Sequence, residues 1–353
     1  MEDYFRTAVD EIRNKKDITG EQLNLLLADS DENDDEYLFQ SAREVSETSF
    51  HKSVYLRGLI EFTNYCKNDC YYCGIRCSNR KAERYRLTEK EILSCCESGY
   101  GLGFKTFVLQ GGEDPFFSDE KICSIVKKIK DKYPECAVTL SIGEKSYESY
   151  KRFYEAGADR YLLRHETANE EHYAKLHPAS LSGANRKQCL RNLKEIGFQV
   201  GCGIMVGTPY QTYNHIYEDI RFMLELQPHM IGIGPFIAHK DTPFKDEPSG
   251  SVIETIRLLA VLRLLFPKVL LPATTALGTA DALGREKGIL AGANVIMPNL
   301  SPVNVRSKYL LYDGKICTGE EAAECNMCMR RRIESIGYHV EDTRGDHPDF
   351  YNL

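Results

Sequence analysis

Two periodicities divide this chain. Residues 1–50 place apolar side chains at helical spacing. From residue 57 onward, short apolar and β-branched runs recur, each followed by a turn and a helical stretch. The runs at 57–63, 105–110, 136–142, 159–164, 199–206, 229–236, 268–274 and 293–299 predict strands. Between them, 88–98, 119–133, 147–157, 185–197, 212–227 and 252–266 predict helices, several ending at Gly or Pro as helix stops do. Eight strands alternating with helices predict an α/β fold, a full (β/α)8 TIM-type barrel, with an open doubly wound sheet as the alternative. The expected organisation is an N-terminal helical extension over 1–50, the barrel over 51–305 and a C-terminal, cysteine-containing extension over 306–353. The acidic run 28-ADSDENDDE-36 reads as a solvated loop between helices.

A barrel builds its chemistry on the loops that follow the carboxyl ends of its strands. The polar and glycine-rich clusters fall there: a cysteine loop at 64–77, then QGGED at 110–114, SIGEK at 141–145 and RHETAN at 164–169. Beyond these come VGTPYQT at 206–212, GPFIAHKDTPF at 234–244, PATTALGT at 272–279 and PNLSPVNVR at 298–306.

Composition narrows the function. Hydrophobic residues at 42% and charged residues at 27% are those of a folded globular chain. A net charge of −7 without a basic block lacks the electrostatic footprint of nucleic-acid binding, so no nucleic-acid partner is expected. The charged amino terminus and the lack of a long apolar run predict no membrane span, no secretory signal and a cytoplasmic protein. In that reducing compartment thirteen cysteines argue for metal ligation by some of them over a disulfide framework. Cys95, Cys96, Cys123, Cys136, Cys189 and Cys202 read as small packing residues.

Cys66, Cys70 and Cys73, spaced x3 then x2, put three thiols on one short loop. A structural zinc site needs four ligands, and no histidine completes one nearby. Three thiolates on a four-iron cube leave one iron open, which is what a reactive cluster requires, whereas electron carriers use four cysteines. Cys77 reads as a bystander or regulatory thiol, since a fourth thiolate would close that site. Gly111 and Gly112 permit a tight turn or the close approach of a ligand. In 159–164 a period of two puts Arg160 and Arg164 on one strand face, where inward cations suit an anionic ligand or a salt-bridged structural pair. Arg186 suits a carboxylate, Glu166 lies just past the strand, and Thr139, Thr274 and Thr275 add neutral donors. His165 supports the site from its loop, and His172, His177, His215 and His229 read as packing or surface residues.

The CxxxCxxC loop with Tyr72 before its third cysteine, followed by GGED, resembles the signature of radical S-adenosylmethionine (SAM) enzymes. FVLQGGEDP, VTLSIGE, AGADRYLLRHETAN, MVGTPYQT, IGIGPFIAHKDTP, PATTALGT and ANVIMPNLSP together, over about residues 55–335, resemble the FeFe-hydrogenase maturase family HydE. The resemblance implies a 4Fe-4S cluster on Cys66, Cys70 and Cys73, whose open iron chelates SAM. It implies SAM contacts at Tyr72, Gly111, Gly112, Glu166 and Arg186. It implies a positively charged substrate cavity lined by Thr139, Arg160, Arg164, Thr274, Thr275, Tyr309 and Tyr312. The implied substrate is a small organometallic iron species bearing CO, cyanide and cysteine. The implied partners are other hydrogenase maturases and an electron donor such as ferredoxin or flavodoxin. Cys317, Cys325 and Cys328 form a second trio; members of the family that keep it can carry a second iron-sulfur cluster, with opportunistic zinc or plain thiols as the other readings. Rival functions are a methylornithine- or biotin-synthase-like enzyme and a non-enzymatic iron-sulfur scaffold.

Overall fold

The computed structural model describes residues 2–28, 31–319 and 322–350, with the side chains of 2–3 and 322–325 outside the description. Three helices open the chain: α1 (Glu2–Lys15), α2 (Gly20–Leu27) and α3 (Glu32–Phe50). Thr19 starts α2 with a reciprocal capping box to Gln22. The acidic run departs from the loop expected of it. Asp31 accepts the Asn33 and Asp34 N–H groups as the N-cap of α3, and Glu32, Asp34 and Asp35 fill its first turn, where carboxylates meet the positive end of the helix dipole. Asp35 also pairs with Arg257 at 2.7 Å, so part of this charge ties two helices together beneath the surface.

The chain then runs through β1 (Ser53–Leu56), β2 (Gly58–Thr63), α4 (Glu89–Gly101), β3 (Thr106–Gly111), α5 (Asp119–Lys132), β4 (Ala137–Ser141), α6 (Tyr147–Glu155), β5 (Arg160–Leu162), α7 (Glu170–Leu176) and α8 (Gly183–Ile196). After these come β6 (Gln199–Cys202), β7 (Met205–Val206), α9 (Tyr213–Leu226), β8 (Met230–Ile231), β9 (Gly234–Pro235), α10 (Val252–Leu265), α11 (Thr275–Ala280), α12 (Gly284–Leu290), β10 (Val295–Ile296), α13 (Val303–Arg306), α14 (Ala322–Ser335) and β11 (His339–Glu341). Six strands form one parallel sheet in the order β2-β3-β4-β5-β6-β8. The residues of β2 are all buried, as expected of a parallel strand covered on both faces. α10 is buried along the whole of Thr255–Leu265, packed among α1, α3 and the core, which explains its lack of a polar face.

The last two expected strands do not extend the regular ladder. Segment 268–274 makes single parallel bridges, Met230 to Leu270 and Pro272 to Val295, and segment 293–299 holds the short β10 and a bridge from Asn299 to Leu59. Pro272 and Pro298 lack the N–H that a ladder needs at their positions. β10 pairs instead with β1, and β1 with β11, in a separate three-stranded parallel sheet. β11 leads the chain beneath the amino ends of the main sheet. There Thr106, the first residue of β3, donates to the Arg344 carbonyl at 2.8 Å, and Gln199, the first of β6, donates to Asp346 at 2.6 Å. Among the described residues, no helix is long and apolar enough to cross a membrane.

Candidate active site at the carboxyl ends of the strands

A cavity of about 280 Å³ opens at the carboxyl ends of the sheet. Its wall is drawn from the loops after β2, β3, β4 and β5, from β7 and β9, and from Thr274, Tyr309, Leu311 and Tyr312. Cys66, Cys70, Tyr72, Cys73, Gly111, Gly112, Arg164, Glu166, Arg186, Thr274, Tyr309 and Tyr312 all line it. Residues spread over some 250 positions of sequence thus meet in one place.

The cysteine loop has little regular structure and is held by side chains reaching its backbone. Arg84 donates to the carbonyls of Ile75 at 2.8 Å and Arg76 at 2.6 Å, while the Arg76 guanidinium grips Asp69 through two bonds of 2.7 and 2.6 Å. Asn64 donates to the Glu83 and Lys308 carbonyls. Gly112 packs so closely that a Cβ there would stand 2.2 Å from the Tyr65 carbonyl oxygen and 2.7 Å from the Cys66 Cβ. Cys77 is exposed and does not line the cavity. Burial pushes up the thiols of Cys66, Cys70 and Cys73, that of Cys70 to about 12.

One wall is a buried charge network. Arg186 is 3.0 Å from Glu144 and 4.0 Å from Glu113, and its Nε donates to the Arg164 carbonyl at 2.7 Å. Glu113 in turn accepts the Glu144 N–H at 2.9 Å, and Gly143, at φ +76°, leaves room for it, since a Cβ there would lie 2.1 Å from the Glu113 carboxylate. Arg164 stands 3.3 Å from Glu166. Glu166 has φ +65°, an uncommon value for a residue with a Cβ, and its Oε2 is buried with no hydrogen bond in the protein. A buried carboxylate oxygen that has a guanidinium beside it but no hydrogen bond is a feature of a ligand site.

The aromatic side of the cavity is also braced from outside. The Tyr72 hydroxyl lies 3.1 Å from His177 Nε2, and His177 stacks on Tyr173 with ring centroids 3.9 Å apart. Burial holds His177 down to about 3, so it is a neutral partner for the phenol. Tyr309 and Tyr312 arrive on the loop before α14. Lys315 anchors that loop, donating to the Tyr309 carbonyl at 2.9 Å and to Glu61 at 2.6 Å, while Asn299 donates to the other Glu61 oxygen. Sequence alone does not single out Glu61, Glu113, Glu144 or Lys315, and it reads His177 only as a packing or surface residue. Glu113, inside QGGED, and Glu144, inside SIGEK, carry a local signal.

Three residues expected in the cavity, Thr139, Arg160 and Thr275, lie elsewhere. Arg160 and Thr139 face each other across the β4/β5 register and line a small space near the amino ends of the strands, with Arg57 and Gln199. Arg160 opens β5 at its amino end, whereas β5 ends at Leu162 and Arg164 lies on the loop beyond it; four residues at about 3.3 Å rise put them up to about 13 Å apart in depth. Arg160 is paired with Asp346 at 2.5 Å and donates to the Arg344 carbonyl at 2.7 Å, the salt-bridged arrangement weighed above. Thr275 opens α11 and accepts from Arg285 at 3.3 Å instead of facing the cavity. Cys317, at φ +61°, lies 3.8 Å from both Arg285 terminal nitrogens, and Cys328 is exposed; the side chain of Cys325 lies outside the described residues.

Among the described residues, no three or more His, Cys, Asp or Glu side chains close tightly enough for a single metal ion. The three loop thiols are free of disulfides and face one cavity. A four-iron cube takes its thiolates on separate irons, so three loop cysteines that face one cavity without converging on a point fit a cluster better than a lone zinc. Gly234 keeps the facing edge open, since a Cβ there would stand 2.6 Å from Thr274 Oγ1.

The family model described as the radical SAM superfamily matches residues 60–223. The FeFe hydrogenase maturase subunit HydE of Thermotoga maritima is 44% identical over 323 residues, 92% of each chain. The 3-methylornithine synthase of Methanosarcina acetivorans is 31% identical over 322 residues, 91% of this chain and 89% of that one. The crystal structure of methylornithine synthase (PylB) superposes with a TM-score of 0.85 at 28% identity, covering 98% of this chain and 99% of that chain. With a cysteine loop, a glycine edge and a charged wall meeting in one cavity, and with this degree of likeness along nearly its whole length, the chain belongs to the radical SAM enzymes and, among them, to the HydE family of hydrogenase maturases.

Proposed function

We propose that this enzyme reductively cleaves SAM and acts on a small organometallic iron precursor bearing CO, cyanide and cysteine during assembly of the FeFe-hydrogenase active centre. The observation that carries the reading is the meeting of Cys66, Cys70 and Cys73 with the Gly111–Gly112 edge and the Arg186–Glu166 wall in one cavity. The three cysteines would hold three irons of a 4Fe-4S cluster. That cluster, when bound, supplies the one electron that splits the SAM sulfonium into methionine and a 5′-deoxyadenosyl radical. Gly111 and Gly112 present backbone to the methionyl ammonium, Arg186 takes the carboxylate, Glu166 the ribose hydroxyls, and Tyr72 packs beside them. Arg164, Thr274, Tyr309 and Tyr312 then face the substrate. The bridges at Leu270, Pro272 and Asn299 support a full barrel over 51–305, flanked by helical and cysteine-containing extensions. A cytoplasmic setting, an electron-donor protein and other maturases as partners belong to the same reading.

Cys317, Cys325 and Cys328 as ligands of a second cluster remain part of the proposal. The half-buried Cys317 and exposed Cys328 differ in exposure from the packing thiols Cys95, Cys96 and Cys202. A second reading, a methylornithine-synthase-like enzyme acting on an amino-acid-like substrate, is favoured by the likeness to methylornithine synthase, and Arg164 would suit an amino-acid carboxylate.

The test is 5′-deoxyadenosine formation by anaerobically reconstituted protein with SAM and dithionite, beside a Cys66→Ala/Cys70→Ala/Cys73→Ala variant. Product from the native chain alone is expected. Equal product from the triple variant would sink the mechanism, and turnover of an amino acid without the organometallic precursor would transfer the assignment to the second reading.

A further inference from the structure

The cavity rim beside Cys66 has a distinctive construction. Tyr65, the residue before Cys66, is 36% exposed, and Phe116, just past the GGED turn, is 48% exposed. The Arg86 guanidinium lies between them, 3.8 Å from the Tyr65 ring centroid and 4.7 Å from that of Phe116. The Lys121 ammonium stands 3.3 Å from the Phe116 centroid. Lys67, with 56% of its side chain exposed, continues the rim.

The carboxylates paired with Arg86 and Lys67 lie underneath. Arg86 pairs with Asp114, whose side chain is 1% exposed, and Lys67 with Glu113, at 8%. Asp119 and Glu120, the acids of α5 next to Lys121, are both paired with Arg152, at 3.5 and 2.8 Å. A chain of net charge −7 therefore presents here a face of exposed rings and cations, against its overall sign. Tyr and Arg are the residues that dominate protein–protein hot spots. Outward cations over buried counter-charges accelerate encounter with an acidic partner. The face is small, which suits the low-area interfaces of electron-transfer encounters.

We infer that this Tyr65–Arg86–Phe116–Lys121 face docks an acidic one-electron carrier protein and hands its electron to a cluster on Cys66, Cys70 and Cys73. The inference rests on the function proposed above. In this step the carrier is oxidised by one electron and the bound cluster reduced by one; no bond is made or broken. The peptide of Tyr65 is joined directly to Cys66, and Gly112 packs against both, so the rim and the thiol-bearing loop form one body.

A Phe116→Ser/Lys121→Glu variant tests this, because neither side chain lines the cavity. Reduced flavodoxin serves as the acidic carrier. Two quantities are measured for native and variant proteins: affinity for flavodoxin from its flavin fluorescence at low and high salt, and the initial rate of 5′-deoxyadenosine formation with flavodoxin or with dithionite. The variant is expected to bind flavodoxin at least about tenfold more weakly at low salt, with a flatter salt dependence. Its flavodoxin-driven rate falls accordingly while its dithionite-driven rate stays native. Native affinity in the variant, or equal loss of both rates, overturns the inference. Should the native protein give no product with dithionite, the proposed function fails, and the affinity measurement still decides the docking face.

Discussion

The guanidinium of Arg160 lies 2.5 Å from the carboxylate of Asp346, across 186 residues of sequence, with both groups buried at the amino ends of the strands. Arg344 joins them, bonding both Asp346 and Asp159 at 2.7 Å. The terminal segment is thereby pinned beneath the sheet, on the face away from the cavity that holds the cysteines.

This arrangement makes Asp346 a stability residue. Asp346→Asn leaves a buried guanidinium without its anion, and a cost of about 3 to 5 kcal/mol in denaturant unfolding is expected. SAM affinity of the folded variant should stay native; a parallel loss of both would move Arg160 back toward the cavity. Burial raises the Asp346 carboxyl, but Arg160, Arg344 and Gln199 outweigh it and hold it below the usual carboxylate range. A depressed acid stabilises above its unfolded pKa, so this contribution is full at neutral pH and fades as the pH falls below the ordinary carboxylate value.

Gly112→Ala should disrupt the cysteine loop selectively. Its new methyl group would collide with the Tyr65 carbonyl at 2.2 Å, which is backbone and cannot swing aside. Reconstituted iron per chain and 5′-deoxyadenosine formation are expected to drop together, the latter by about a hundredfold, as misplacement by about 1 Å can cost. Gly101→Ala, where nothing lies within 4 Å, is the control. Native iron content in Gly112→Ala would show that the loop has slack.

Three buried histidines should make the protein acid-labile before its carboxylates titrate. Burial lowers His177 to about 3 and His172 and His347 to about 4. Each stays neutral in the fold yet gains a proton in the unfolded chain once the pH drops below about 6.5. Stability is therefore full above that value and declines as the pH falls toward the folded pKa values, by at most about 1.4 kcal/mol per pH unit for each histidine. Unfolding midpoints at pH 7 and pH 5 check this, and a His177→Phe variant should lose part of the slope. Identical midpoints at both pH values would contradict it.

By itself the sequence determined the features written into short windows. The alternation of strand and helix, the x3 and x2 spacing of Cys66, Cys70 and Cys73, and the clustering of polar loops after strands each depend on neighbours a few residues apart, and local periodicity records such neighbours. Six of the expected strands, and the cavity at their carboxyl ends, were legible for that reason. Tertiary structure alone decided depth and partnership. A period of two aligns Arg160 with Arg164 but cannot say which lies near Glu166 and which beneath the sheet beside Asp346. Nor could it pair His177 with Tyr72, Lys315 with Glu61, or Asp35 with Arg257. Those contacts join residues roughly 100 to 250 positions apart, and a buried ionic or polar group is acceptable only where the completed fold brings its partner to it.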